Sequence, residues 1–152
     1  MITNEIDELL SNIHEFIGTF ACNKIPHVKQ RPAFLIINTA PLPKKVDNEG
    51  VIQGKHWVAI RLSRDEDNEY FDSFGFPPKQ QDIVNYLSSC GKLLEFNTQQ
   101  LQDTLSDVCG AYCVDYVRNR AHGIGFKQYL GSFGHDPLAN DKAVVNRVTW
   151  QS

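Results

Sequence analysis

Residues 109–117, Cys-Gly-Ala-Tyr-Cys-Val-Asp-Tyr-Val, constrain the fold of this chain more than any other segment. Read as a helix from Cys109 to Arg120, the run is apolar almost all round. A helix without a polar face cannot lie on a surface, so it must sit in the centre of a domain with other elements around it. A chain of 152 residues suffices for one such domain, which would bury about 70% of its unfolded surface. No internal repeat and no linker divides the sequence, so residues 1–152 read as a single domain.

The remaining elements follow from periodicity and punctuation. Ile6, Leu9, Leu10, Ile13, Phe16 and Ile17 recur at helical spacing, which predicts a helix over 4–17 that stops at Gly18. Ala33–Asn38 is short, apolar and β-branched, as a buried strand requires, and Pro41–Gly54 reads as a polar surface loop. His56–Leu62 and Glu69–Asp72 flank the polar tip Asp65-Glu66-Asp67-Asn68 and predict a β-hairpin. A helix over 79–87, a strand over 92–96 and a polar loop over 97–108 come next. Asp136-Pro137 marks the start of a last helix that runs to about Val148. The class is α+β.

Charge and cysteine usage narrow the function. Fifteen Lys and Arg against 18 Asp and Glu leave a net charge of −3, which argues against a basic nucleic-acid module. Four cysteines are too few for a disulfide-stapled scaffold of this length. Glu5, Asp7, Glu8 and Glu15 make the N-terminus unlike a signal or transit peptide, and no apolar run approaches the roughly 20 residues that span a bilayer. The expectation is an intracellular protein with free thiols and no membrane contact.

A lone cysteine is usually a small core residue. Cys22 and Cys90 have no neighbour that changes that reading. Cys109 does, because it follows a polar loop and opens the apolar helix. Unsatisfied N–H groups and the helix dipole favour a thiolate there. Gly110 beside it leaves space for a substrate backbone. Cys113 is one helical turn on and reads as core, since none of the histidines completes a zinc spacing with the pair.

A thiolate nucleophile needs a base, and the base needs an orienting group. Of five histidines, His56 alone begins a strand directly after a Gly-containing loop, with Trp57 next to it. Asp72 ends the partner strand of the hairpin and reads either as a turn residue or as the orienter of His56. With Cys109 the set fits a Cys-His-Asp triad. Gln102, seven residues before Cys109, is a candidate oxyanion donor, although Gln99 and Gln100 lie close by.

Gly54-Lys55-His56-Trp57, Tyr70-Phe71-Asp72-Ser73-Phe74-Gly75-Phe76, and Gln102 through Cys109-Gly110-Ala111-Tyr112-Cys113 together resemble the adenain family of adenovirus maturation proteases. More distantly they resemble the Ulp/SENP-type SUMO proteases. The order His, Asp, Gln, Cys is shared with that family, whereas papain places its cysteine first. The Gln-to-Cys step is similar to the adenain branch, and the resemblance runs from about residue 16 to 120. This short chain looks closest to versions found in virophages and Maverick/Polinton-type elements.

The resemblance implies an adenain/Ulp-like fold, with a mixed central sheet and the nucleophile at the N-terminus of a buried helix. It implies a monomeric cysteine endopeptidase that cuts viral capsid or scaffold precursors next to small residues, often Gly, in the virion or at the assembly site. His56 would be general base and then general acid, Asp72 its orienter, Cys109 the nucleophile and Gln102 the oxyanion donor. Trp57 either flanks the substrate cleft with Gly110 or is a core aromatic. Adenain is stimulated by DNA and by a disulfide-linked activating peptide. Here the acidic charge argues against DNA, and Cys90 stands near the peptide-linked position but one residue out of step. No cofactor or metal is required by the sequence, and an Ulp-like isopeptidase or an inactive binding module are the other readings.

Overall fold

The computed structural model describes residues 1–43, 48–49 and 56–150. Ten elements form along the chain: α1 (Thr3–Leu9), β1 (Phe16–Ala21), β2 (Ala33–Asn38), β3 (Trp57–Leu62), β4 (Asn68–Phe71), α2 (Gln81–Ser89), β5 (Leu94–Phe96), α3 (Cys109–Ala121), α4 (Phe126–Leu130) and α5 (Pro137–Trp150). Most of the predicted loop over 41–54, and the motif residues Gly54 and Lys55, lie outside the described residues.

The five strands make one mixed sheet in the order β1-β2-β3-β4-β5. The outer pairs β1–β2 and β4–β5 are parallel, and the inner pairs β2–β3 and β3–β4 are antiparallel. The predicted hairpin is the β3–β4 pair, with Ala59 opposite Phe71 and Arg61 opposite Glu69. Both sheet faces are covered. Phe34, Ile36, Trp57, Ala59 and Phe71 pack against α1, α3, α4 and α5. Leu35, Ile37, Val58, Ile60, Leu62 and Tyr70 pack on the other side against Ile83 and Leu87 of α2. Burial on both faces explains why β2 reads as one continuous apolar run.

Helix α3 is enclosed as its composition requires, with every residue from Gly110 to Arg118 buried. Tyr116 stacks on Phe71 of β4 with ring centroids 4.9 Å apart, and Tyr129 of α4 meets both edge-on. A buried ion pair fixes the helix along its axis. The Glu69 carboxylate, 2% exposed, accepts from Arg120 Nε at 2.9 Å, Arg120 Nη2 at 2.6 Å and the Tyr116 hydroxyl at 2.7 Å. At the N-terminus of α5, Asp136 Oδ1 accepts from Leu138 N at 3.1 Å, as the Asp-Pro signal implied.

The predicted helix over 4–17 is corrected. α1 ends at Leu9, a turn follows, and residues 16–21 form the edge strand β1, which the helical spacing concealed. Ile13 and Phe16 do face the core, but from a turn and a strand end rather than a helix. The aromatic and β-branched Phe16-Ile17-Gly18-Thr19-Phe20 favours a pleated surface. Gly18 is not a helix stop; it sits at φ +150° where the β1–β2 register shifts, the site of a bulge. Helix α4 was also not anticipated.

Removing one partner of a buried ion pair leaves the other charge uncompensated. Arg61 Nη1, 3.7 Å from the same carboxylate, remains as a partial counter-charge, so Arg120→Met is expected to cost at most about 3–5 kcal/mol in urea unfolding. The Glu69→Gln/Arg120→Met double variant should lose less than the sum of the two single variants.

Candidate active site

The register of β3 and β4 sets His56 beside Asp72. His56 directly precedes β3, and Asp72 directly follows β4. His56 Nε2 lies 2.8 Å from Asp72 Oδ1, with the imidazole 17% and the carboxylate 6% exposed. That contact commits Nε2 to the carboxylate and leaves Nδ1 for the nucleophile. The ring also stacks on Phe74, centroids 4.9 Å apart, a contact the sequence reading did not include.

Asp72 is itself held. Its Oδ1 accepts from Phe74 N at 2.8 Å, and its backbone pairs with the Asn97 side chain through N–H···Oδ1 at 3.1 Å and Nδ2–H···O at 2.6 Å. Gly75 turns the chain here with φ +78°. A side chain at Gly75 would place its Cβ 2.7 Å from the Gln99 backbone, so only glycine lets residues 97–102 lie against this turn.

Cys109 is the first residue of α3, half-buried, and no side chain caps that end of the helix. Trp57 N points at Sγ from 3.5 Å. Burial pushes the Cys109 thiol up, but its hydrogen bond to His56, the charge of His56 and the N–H groups of Trp57 and Gly110 outweigh it and bring the pKa below 9. Burial lowers the pKa of His56, yet the bonds to Asp72 and Cys109 together raise it to about 9. Both shifts favour the charged form, a thiolate at Cys109 beside an imidazolium at His56. The pair forms as pH rises through the lowered thiol pKa and is lost as pH rises through about 9.

The other thiols lack this setting. Cys113 is fully enclosed and Cys22 is 2% exposed, and burial pushes both up. Cys90 caps the C-terminus of α2, packs against the other face of the sheet, gives its thiol proton to Tyr86 O at 3.3 Å, and is likewise pushed up by burial.

Gln102 is fully buried, and its side chain bonds Ser73 and Ser106 rather than Cys109. Oε1 accepts from the Ser73 hydroxyl at 2.6 Å, while Nε2 donates to Ser106 O at 3.0 Å and Ser106 Oγ at 3.1 Å. Gln99 donates to Gly134 O, and Gln100 donates to Gln102 O at 2.9 Å and to Thr104 Oγ1 at 3.2 Å. Trp57 and Gly110 do not line an open groove. Trp57 is 8% exposed with Nε1 bonded to Met1 O at 3.2 Å. A Cβ on Gly110 would lie 2.8 Å from Met1 Cβ, so Met1 fills the space that glycine opens.

A concavity of about 1060 Å³ bounded by Glu5, Glu8, Ile13, Arg118 and His122 includes none of His56, Asp72, Gln102 and Cys109. It lies toward the C-terminal end of α3, so size does not mark the chemistry here. Among the described residues, no three His, Cys, Asp or Glu side chains gather as a metal site needs. No described helix is long and apolar enough to cross a membrane.

Alkylation reads this electrostatics directly. Iodoacetamide at pH 7, followed by peptide mapping, should modify Cys109 ahead of Cys22, Cys90 and Cys113. Asp72→Asn should shift the Cys109 pH profile upward, since His56 then holds its proton less firmly.

No protein-family model matches the chain. It is 32% identical over 133 residues to a protein named Protease from Bovine adenovirus 4, an alignment covering 75% of this chain and 62% of that protein. The chain therefore spans less than two thirds of that relative's length. Its fold is similar to that of ChlaDub1 from Chlamydia trachomatis, at a TM-score of 0.53 and 16% identity, covering 79% of this chain and 59% of that one. A structure of the Chlamydia trachomatis effector protein Cdu1 bound to ubiquitin matches at a TM-score of 0.53 and 15% identity, covering 79% of this chain and 60% of that one. The chain is thus similar in sequence to an adenovirus protease, and its α+β fold is similar to that of ChlaDub1 and Cdu1.

Proposed function

We propose that the chain is a cysteine endopeptidase that cleaves viral capsid or scaffold precursors at small-residue or Gly-containing sites during virion maturation. The observation that carries this reading is the Cys109 thiol at the N-terminus of α3, bonded to a His56 that Asp72 orients at 2.8 Å. The similarity to an adenovirus protease supports the substrate class.

Each side chain has a step. The Cys109 thiolate adds to the scissile carbonyl, and negative charge moves to the carbonyl oxygen. The backbone N–H of Cys109, which as the first of the helix has no intrahelical acceptor, is one donor to it. Gln102 Nε2 is the second. Its resting acceptor, the Ser106 hydroxyl, is neutral, and a charge-assisted hydrogen bond is roughly twice as strong as a neutral one, so the developing oxyanion displaces it. Protonated His56 gives its proton to the leaving amine, and a thioester remains on Cys109. Neutral His56 then takes a proton from water, which hydrolyses the thioester and restores the thiolate–imidazolium pair.

These steps use only side chains and backbone of the chain; an activating peptide or DNA is what the family resemblance would add. The chain acts as a monomer, in the virion or at the assembly site, and its net charge of −3 disfavours a nucleic-acid cofactor. A second reading, an isopeptidase for SUMO or another ubiquitin-like protein, is favoured by the structural likeness to Cdu1 bound to ubiquitin. An inactive binding module is disfavoured, because His56, Asp72, Gln102 and Cys109 are all present.

Incubation with the capsid and scaffold proteins encoded beside it, and separately with SUMO and ubiquitin conjugates, distinguishes the readings by mass spectrometry of the products. Cleavage of the former alone is expected. Cleavage of conjugates alone would establish the isopeptidase. Cys109→Ala and His56→Ala should each lower kcat by about 10⁴-fold or more in a folded protein. Full activity in Cys109→Ala would refute both enzymatic readings. Activity of the native chain should extend to about pH 9, where His56 loses the proton needed by the leaving group.

A further inference from the structure

Ser73 follows the catalytic aspartate, is 1% exposed, and joins the two halves of the site. Its backbone oxygen accepts from Leu101 N at 2.9 Å and Gln102 N at 3.0 Å, which fixes the main chain of the glutamine. Its hydroxyl donates to Gln102 Oε1 at 2.6 Å, a short bond between two groups sealed from water. On the opposite end of the same carboxamide, Ser106 O can only accept, so Nε2 must face it at 3.0 Å. With Nε2 assigned to that side, the Ser73 hydroxyl has one role left, that of donor to Oε1.

A hydrogen bond to the oxygen of an amide draws electron density from its nitrogen and strengthens the N–H as a donor, the cooperative effect seen in hydrogen-bond chains. The chain here runs from the Ser73 hydroxyl through Oε1 and Nε2 to the acceptor on the Ser106 side. In a buried site the effect is larger, since no water competes for Oε1.

We propose that Ser73 is a positioning residue of the oxyanion hole, acting through Gln102: its hydroxyl locks and polarises the carboxamide so that Nε2 is presented to the oxyanion. The proposal rests on the reading of Gln102 as oxyanion donor. Ser73 itself touches neither substrate nor the reacting atoms. Because it acts on the transition state and not on substrate binding or on the thiol, its removal leaves KM and the ionisation of Cys109 in place.

The test uses the full chain and a peptide spanning a cleavage site found by the mass-spectrometric experiment above. Ser73→Ala should lower kcat about tenfold or more, with KM changed less than twofold and the pH profile of Cys109 alkylation unchanged. Ser73→Thr, which keeps the hydroxyl, should recover most of kcat. Gln102→Ala should lose about 10²–10³-fold in kcat, and adding Ser73→Ala to it should cost nothing further. Where Ser73→Ala does not fold, Ser73→Cys, similar in size and a weaker donor, carries the same comparison and should also lower kcat.

Wild-type kcat in the Ser73 variants beside an impaired Gln102→Ala overturns the role of Ser73 alone. Full additivity of the two, or a shifted alkylation profile in Ser73→Ala, also overturns it, since the effect would then run through Asp72 or the fold. Wild-type kcat in Gln102→Ala overturns the oxyanion reading and this inference with it.

Discussion

The bond network around the Glu69 carboxylate sets the geometry on which the chemistry depends. β4 carries Glu69 and, three residues later, delivers Asp72; α3 carries Tyr116 and Arg120 and begins with Cys109. Two helix side chains close on one buried carboxylate, so the helix cannot slide or rotate against the strand without breaking charge-assisted bonds in a dry interior. The thiol and the aspartate are therefore held in register by a contact that takes no part in the reaction. The Phe71–Tyr116 stack excludes water from the same junction.

Within that frame, selectivity among four thiols follows from one competition. Burial raises the pKa of every cysteine in the chain, and only Cys109 has a cation and two backbone N–H groups directed at its sulfur. Cys113 lies one turn away on the same helix, yet it sits in the apolar core, where burial and the charges of Cys109 and Asp72 push its thiol up. Position at the helix start, more than membership of the helix, separates the thiol whose pKa is lowered from the one whose pKa is raised.

The sequence made the central helix and the hairpin legible because both are encoded by contiguous patterns: apolar on all sides for 109–117, and two apolar runs about a charged tip for 56–72. It misled over 4–17, where a helix, a turn and the start of a strand each contribute apolar residues that happen to fall at helical spacing. His56, Asp72 and Cys109 were readable from residue type and element boundary. Ser73, Phe74, Asn97 and Ser106 were not, because their roles arise from bonds across 25 to 29 positions or from the fold of a loop that no periodicity describes. For Trp57 the sequence left open a cleft residue, as the resemblance implies, or a core aromatic; the space beside it and Gly110 is set by Met1, a contact from the other end of the chain that no local pattern encodes.

The strands lie side by side in the order in which they are synthesised, and α3 comes after all of them. During translation, which proceeds at roughly 5–20 residues per second, the base and its orienter emerge several seconds before the thiol. His56 and Asp72 are synthesised before any residue of α3. Residues 110–118 then have no stable place except against that finished sheet. A nascent or truncated chain that ends before Cys109 therefore holds His56 and Asp72 but not the thiol that the folded protein sets beside them.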